Sequence, residues 1–189
     1  MTRLLPYWTQ SVSRTFLYSC SSDAEQSHPV RFTVSDSGPL ITWDRVGGLP
    51  LLKKVHPDIV VAKAVATELQ HPRHLYRPGH DLLERGLIRE YDLYIPEDLP
   101  LPPRLGRGDK ASIRLARQVN SVLLIDDRDA RKAARASGIA TTATLATLKL
   151  CKKLGLISAV RPLLEEMLAS GFRLAEHVRH DFLRELGEL

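Results

Sequence analysis

The stretch Ser121-Val-Leu-Leu-Ile-Asp126-Asp127-Arg128-Asp129-Ala130-Arg131 decides the fold class. An apolar run from Val122 to Ile125 stops abruptly at two carboxylates, and a basic, alanine-rich helical pattern follows. A strand buried inside a parallel sheet reads as a continuous apolar run. Such sheets hold ligands just beyond the carboxyl ends of their strands. Asp126 and Asp127 therefore fall where an α/β protein does its chemistry. The remaining sequence is then read for strands that share the sheet and acids that share the spot.

Upstream, Val30-Arg-Phe-Thr-Val34 alternates and is rich in β-formers, which predicts the first strand. It ends at Ser35-Asp36-Ser37-Gly38-Pro39, and Pro39 suits the first turn of a helix, so Asp36 stands between strand and helix. Leu49 to Val55 reads as a short second helix after Gly47-Gly48. Asp58 to Val61 reads as a second strand, and Lys63 to Gln70 as a helix with Val65 and Leu69 on its apolar seam and Glu68 beside it. Asp81 to Arg85 reads as a short helix closed by Gly86, and Tyr91 to Ile95 as an edge strand, because Pro96 follows.

Pro100, Pro102 and Pro103 mark a stiff loop leading into Gly106-Arg107-Gly108-Asp109, after which Asp109 to Val119 is helical. Beyond the central strand, Asp127 to Ser137 predicts a helix with Ala130, Ala133 and Ala134 inward and Gly138 as its stop. Ile139 to Ala143 predicts a short strand, and Leu145 to Leu154 a helix capped by Thr144. Pro162 opens a helix over Leu163 to Ser170, and a last amphipathic helix carries Leu174, Val178, Phe182 and Leu186. Strands alternating with helices imply a central parallel sheet flanked by helices, with a C-terminal helical tail. Residues 1–29 show neither period and read as an extension outside the core, leaving residues 30–189 as one domain.

A chain of 189 residues is long enough for one proper core, and a formal net charge of +5 leans towards a polyanionic partner. Two cysteines, Cys20 and Cys151, build neither a disulfide framework nor a zinc site, which points to a reducing, cytoplasmic setting. No apolar run has the length of a membrane span. Polar residues from Thr9 to Arg14 break up any export signal near the start.

Asp36, Glu68, Asp109 and Asp127, with Asp126 as a neighbour, sit at element ends or on helices. Clustered carboxylates repel unless a divalent cation neutralises them. Mg²⁺ and Mn²⁺ prefer such oxygen ligands. Read from the residues, this is a metal-dependent phosphodiesterase or phosphoryl-transfer site. Acids at strand ends also serve as caps and turn formers, and spacing alone leaves both readings open.

Four motifs in order sharpen the choice: Val34-Ser-Asp36-Ser-Gly-Pro-Leu-Ile41, Val65-Ala-Thr-Glu68-Leu, Gly106-Arg-Gly-Asp109-Lys-Ala-Ser-Ile-Arg-Leu-Ala116, and Leu123-Leu-Ile-Asp-Asp127-Arg-Asp-Ala-Arg131. With the tail from Thr142-Ala-Thr-Leu through Lys153-Leu-Gly-Leu-Ile157 to Gly171-Phe172-Arg173, the sequence resembles a PIN domain, in the subgroup of predicted nucleic-acid-binding proteins related to the VapC-like ribonucleases. That resemblance implies a PIN-like α/β fold and a metal-dependent endoribonuclease that hydrolyses RNA with a metal-activated water. By motif position Asp36, Glu68, Asp109 and Asp127 are the catalytic acids and hold Mg²⁺ or Mn²⁺. Asp126 is a further candidate ligand that could replace or assist Asp127. Ser37 matches the family's small hydroxyl residue and is a candidate for the nucleic-acid side of the site.

The resemblance also implies RNA as partner, a homodimer, and the toxin half of a toxin–antitoxin pair with a cognate antitoxin protein. Two departures stand out. Gly38 replaces the usual Ser or Asn, and Asp109 stands where the subgroup has Glu. They keep alive a second reading, a PIN-fold nucleic-acid-binding or regulatory module with little catalysis.

Other residues have blander readings. Arg128, Lys132 and Arg135 share one helix face beside the acids, where they could bind RNA phosphates or simply be solvated. Lys149, Lys152 and Lys153 read as plain surface. His71, His74 and His80 lack metal spacing. Trp8, Trp43 and Tyr94 suit the core better than base stacking, and Cys151 lies within an apolar helical pattern.

Overall fold

Four short runs of aliphatic and β-branched residues carry apolar side chains towards both faces, so only a sheet covered on both sides can bury them. The computed structural model describes residues 32–70, 82–91 and 96–189. Its strands are β1 (Thr33–Ser35), β2 (Ile59–Ala62), β3 (Arg89–Tyr91), β4 (Leu123–Leu124) and β5 (Thr141–Thr142), all pairing in parallel in the order β3-β2-β1-β4-β5. The interleaved helices are α1 (Ser37–Arg45), α2 (Leu49–Val55), α3 (Lys63–Leu69), α4 (Arg107–Gln118), α5 (Arg128–Ala136), α6 (Thr144–Lys153), α7 (Arg161–Ala169) and α8 (Glu176–Glu185). The expected parallel sheet flanked by helices, with a helical tail, is the architecture found.

Strand order places the site. The chain leaves β1 towards β2 on one side and returns on the other side as β4, with Val34 opposite Leu123 and Ser35 opposite Leu124. Ligands of open α/β sheets bind at this kind of reversal, outside the carboxyl ends of the two strands. The backbone N–H of Asp36 still donates to the Leu124 carbonyl at 3.0 Å, so the acid after β1 begins where the sheet ends. Val34, Leu123, Leu124 and Ile125 are fully buried, which fixes both strand ends rigidly. Truncating Leu124 to alanine is worth about 2–5 kcal/mol by analogy with other buried leucines.

Boundaries differ from the sequence expectation in informative places. α4 starts at Arg107, which puts Asp109 inside the first turn and lets its carboxylate reach back to the Gly106 N–H at 3.1 Å. Thr144 is the first residue of α6 and not its cap: Ala143 holds the cap position, and the Thr144 N–H and hydroxyl both donate to Asp126. On α8, Phe182 and Leu183 are buried while Val178 is exposed, so the seam is narrower than the expected four-residue set. Gly138, at φ +75°, ends α5 in the left-handed region as expected. β3 is the edge strand but begins at Arg89.

The expectations about residues 1–29, the start of the first strand at Val30, the histidines His71, His74 and His80, and Tyr94 fall outside the described residues. Among the described residues no helix is long and apolar enough to cross a membrane.

The tail is locked by its own end. The Glu188 carboxylate accepts from the Val160 N–H, the Arg161 N–H and the Lys152 ammonium, which caps the open start of α7 from a distance. Buried His56 joins Thr33 of β1 at 3.1 Å to Thr147 of α6 at 3.2 Å. Trp43 is fully buried in the core, and buried Cys151 has its thiol pushed up to about 11 by burial. Neither is available to bases or substrates.

Candidate active site

Each acid of interest is held by the element that carries it. Asp36 is the extended residue that caps α1: the Gly38 N–H donates to Oδ2 at 3.4 Å, and the Ser112 hydroxyl of α4 lies 3.5 Å from Oδ1. Glu68 reaches from α3 to the start of α4, where the Gly108 N–H donates to Oε1 at 3.0 Å and the Ser37 hydroxyl donates to Oε2 at 3.1 Å. Asp109 spends Oδ2 on the Gly106 N–H. Asp127 caps α5, with the Ala130 N–H donating to Oδ1 at 2.7 Å. Capping explains why short acids stand at these strand and helix ends, and it also aims them at one another.

Electrostatics show which acids form a group. Asp36 is only 8% exposed. Burial, then the charges of Asp109 and Glu68, push its carboxyl up to about 7, against the pull of the Ser37 and Gly38 amides. Burial also raises Asp109, with the charges of Asp127 and Glu68 adding to it and the Gly106 amide opposing. Asp36, Glu68, Asp109 and Asp127 are thus linked through mutual repulsion, running from a buried end at Asp36 to an exposed rim at Asp127. Among the described residues no lysine or arginine acts on Asp36 or Asp109 to offset it. The donor set is oxygen alone and rich in negative charge, which fits a hard divalent cation. Among the described residues no three His, Cys, Asp or Glu side chains are arranged, as they stand, to hold a metal ion between them. An open rim of acids accords with an ion that keeps several waters.

Asp126 belongs elsewhere. Its Oδ1 accepts from the Thr144 N–H at 2.8 Å and its Oδ2 from the Thr144 hydroxyl at 2.6 Å. Burial raises its carboxyl, while those two bonds and the nearby Arg131 charge oppose the rise. Its oxygens fasten α6 to the end of β4, and its charge is not among those that raise Asp36 or Asp109, so Asp126 is left out of the ligand set proposed below. Ser37, expected on the nucleic-acid side, spends its hydroxyl on Glu68. Of the three expected phosphate binders, Arg128 and Lys132 are exposed on α5, but Arg135 donates from Nε to the Thr141 hydroxyl at 2.7 Å.

Two residues escaped the sequence reading. Ser112 lies three residues beyond Asp109, on the buried face of α4 and within reach of Asp36. Gly108 is the closer contact. A Cβ there would stand 2.5 Å from both Glu68 carboxylate oxygens, so only glycine lets the Glu68 carboxylate lie against the backbone N–H. The only trace in the sequence is the position of this glycine, directly before an acid at a predicted helix start.

A PIN-domain family model matches residues 32–188, and the chain belongs to the PIN-domain family, whose members are typically nucleases. None of the curated proteins matches it significantly. Among solved structures, a similar chain is described as a domain of a functionally unknown protein from Methanocaldococcus jannaschii DSM 2661. It has 21% sequence identity over 59% of this chain and 90% of that one, with a TM-score of 0.41.

Proposed function

We propose that this PIN domain is an endoribonuclease dependent on Mg²⁺ or Mn²⁺, with Asp36, Glu68, Asp109 and Asp127 as the ligands of the ion. The observation that carries the reading is that Asp36 and Asp109, raised first by burial, are raised further by the charges of Glu68 and Asp127 at the strand-order reversal, with no basic side chain among the described residues to relieve it. Such an ion, when bound, activates a water and stabilises charge on the phosphodiester being cleaved.

The chain's own residues do the positioning. Ser37 and Gly108 fix Glu68 by both oxygens, and Gly38 and Ser112 fix Asp36. Asp109 and Asp127 each give one oxygen to a helix start and keep the other for the site. Asp36 holds a proton up to about pH 7, so cation uptake near neutrality displaces that proton. Shortening the usual Glu to Asp109 is compatible with its role, because the first turn of α4 brings its carboxylate up to the Glu68 cradle.

Within this reading, the toxin role and the VapC-like kinship rest on the sequence resemblance. They imply an antitoxin that covers the acidic opening, and a homodimer that sedimentation would detect. The test of the function is cleavage of a mixed single-stranded RNA panel with Mn²⁺, Mg²⁺ or EDTA, beside the Asp36→Asn protein. Cutting that requires metal and is lost in the variant is expected. A folded wild type that binds RNA without cutting it would favour the regulatory module. Cutting that survives Asp36→Asn would overturn the site.

A further inference from the structure

Helix α4 has two chemically different faces. Gly108 and Ser112 turn inward to Glu68 and Asp36, whereas Arg107, Lys110 and Arg114, spaced three and four apart, lie on the other side. That second side forms one wall of a cleft of about 530 Å³. Lys63, the first residue of α3, stands across from it, and alanines, among them Ala111, lie between. Four cations and a single carboxylate, Glu97, line the cleft.

The cations are not equally free. Arg114 is committed to the loop before α4, with NH2 near the Glu97 and Leu99 carbonyls at 3.4 and 3.5 Å and NH1 3.8 Å from the Glu97 carboxylate. The Lys110 ammonium donates to the Pro103 carbonyl at 3.2 Å. Lys63 and Arg107 are exposed and pair with none of the described residues. Among the described residues Lys63 and Arg107 thus lack a counter-charge on a cleft lined by two further cations, an arrangement that favours an anionic ligand.

The cleft's neighbour identifies the anion. Arg107 directly precedes the glycine that cradles Glu68, and Lys110 directly follows Asp109, so cleft and acidic site meet at the start of α4. From Arg107 to Arg114 the helix rises about 10.5 Å, the span of about three stacked nucleotides at roughly 3.4 Å each. A cavity of about 530 Å³ suits a ligand no bulkier than a nucleotide or two at a time, which favours a single strand. We propose that the cleft between α3 and α4 binds the sugar–phosphate backbone of single-stranded nucleic acid, with Lys63 and Arg107 as the principal phosphate contacts, and feeds the strand to the acids at the helix start. The inference rests on the nuclease reading for the direction of the strand, but strand binding itself can be measured without cleavage.

The test uses the full chain carrying Asp36→Asn, in EDTA, so that nothing is cut. A fluorescein-labelled oligouridylate of twelve nucleotides is titrated at several salt concentrations. The same protein with Lys63→Gln/Arg107→Gln is compared with one carrying Lys153→Gln/Arg173→Gln, which removes equal charge from exposed positions elsewhere. The cleft variant is expected to bind roughly tenfold more weakly, with a salt dependence shallower by about 1.4, as for two lost single-strand phosphate contacts. The surface variant is expected to keep the parental slope, and thermal melting is expected to be equal in all three.

Equal loss in both variants, or no binding by the parent, overturns the cleft. Competition by polyglutamate as effective as that by unlabelled RNA overturns the nucleic-acid assignment in favour of an acidic protein segment. Binding that behaves as expected beside a wild type that never cuts would sink the nuclease reading and leave the cleft standing.

Discussion

Asp36 is buried at the end of β1 among other carboxylates, so its ionisation works against the fold. Its pKa lies near 7 in the folded chain and near 3.8 when unfolded, so the native state keeps a proton that the unfolded state gives up between those values. The resulting stabilisation is complete below pH 3.8 and is lost as pH rises towards 7. Asn caps a helix as well as Asp and carries no charge. In EDTA, Asp36→Asn is therefore expected to be the more stable protein, by an amount growing from near zero at pH 4 to about 4 kcal/mol at pH 7. Urea unfolding across that range checks it, and equal stabilities at pH 7 would remove the repulsion on which the site rests. At Gly108 the lever is steric: Gly108→Ala puts a Cβ where the Glu68 carboxylate lies. Its expected effect is a loss of about 10–100-fold in Mn²⁺ affinity at nearly unchanged stability. Shortening the carboxylate in the Gly108→Ala/Glu68→Asp double variant is expected to cost less than the sum of the two changes. Calorimetry with Mn²⁺ reads both, and strict additivity would mean that the glycine and the acid do not communicate.

Elements meet at two polar ties, one structural in effect and one long confusable with chemistry. His56 joins β1 to α6 while buried and neutral, and burial lowers its pKa to about 4. The unfolded chain takes up a proton below about 6.5 and the native chain does not, so this contribution is complete above pH 6.5 and is lost as pH falls towards 4. Its slope opposes that of Asp36 over the same window. With Asp36 replaced by Asn, the protein is therefore expected to lose about 2 kcal/mol between pH 7 and pH 5 more than the wild type loses. Parallel pH profiles would contradict the Asp36 shift, and an Asp36→Asn protein no less stable at pH 5 than at pH 7 would contradict that of His56. The second tie is Asp126, which fastens Thr144 at the start of α6 to the end of β4. Asp126→Ala is expected to cost about 1–2 kcal/mol in urea while leaving Mn²⁺ affinity unchanged. The adjacent pair Asp126-Asp127 could not be divided in the sequence, because both follow the same strand. The division depends on where α6 begins, and Thr144 stands eighteen residues away.

At the scale of the molecule, the parallel sheet was legible because its inner strands are continuous apolar runs that end in turn residues, as at Val122 to Ile125. Asp36, Glu68, Asp109 and Asp127 lie at or beside element boundaries that the patterning marks, but spacing alone left them open to a capping role, and it is the resemblance to PIN-domain motifs that singles them out as a set. Gly108, Ser112 and the Lys63–Arg107 cleft were not, since each exists only where α4 meets another part of the chain, Glu68 and Lys63 on α3 or Asp36 after β1, and pattern within one element carries no trace of a neighbour. For the same reason the helix face of Arg128, Lys132 and Arg135 looked like a phosphate surface, although Arg135 is tied to Thr141. The central proposal is that four acids on four different segments hold one or two divalent cations. The most direct measurement is Mn²⁺ binding by calorimetry to the wild type and to Asp36→Asn, Glu68→Gln, Asp109→Asn, Asp127→Asn and Asp126→Asn. The predicted result is affinity reduced about tenfold or more by each of the first four and kept by the last. Full affinity in any of the four, or its loss in Asp126→Asn alone, would contradict the site.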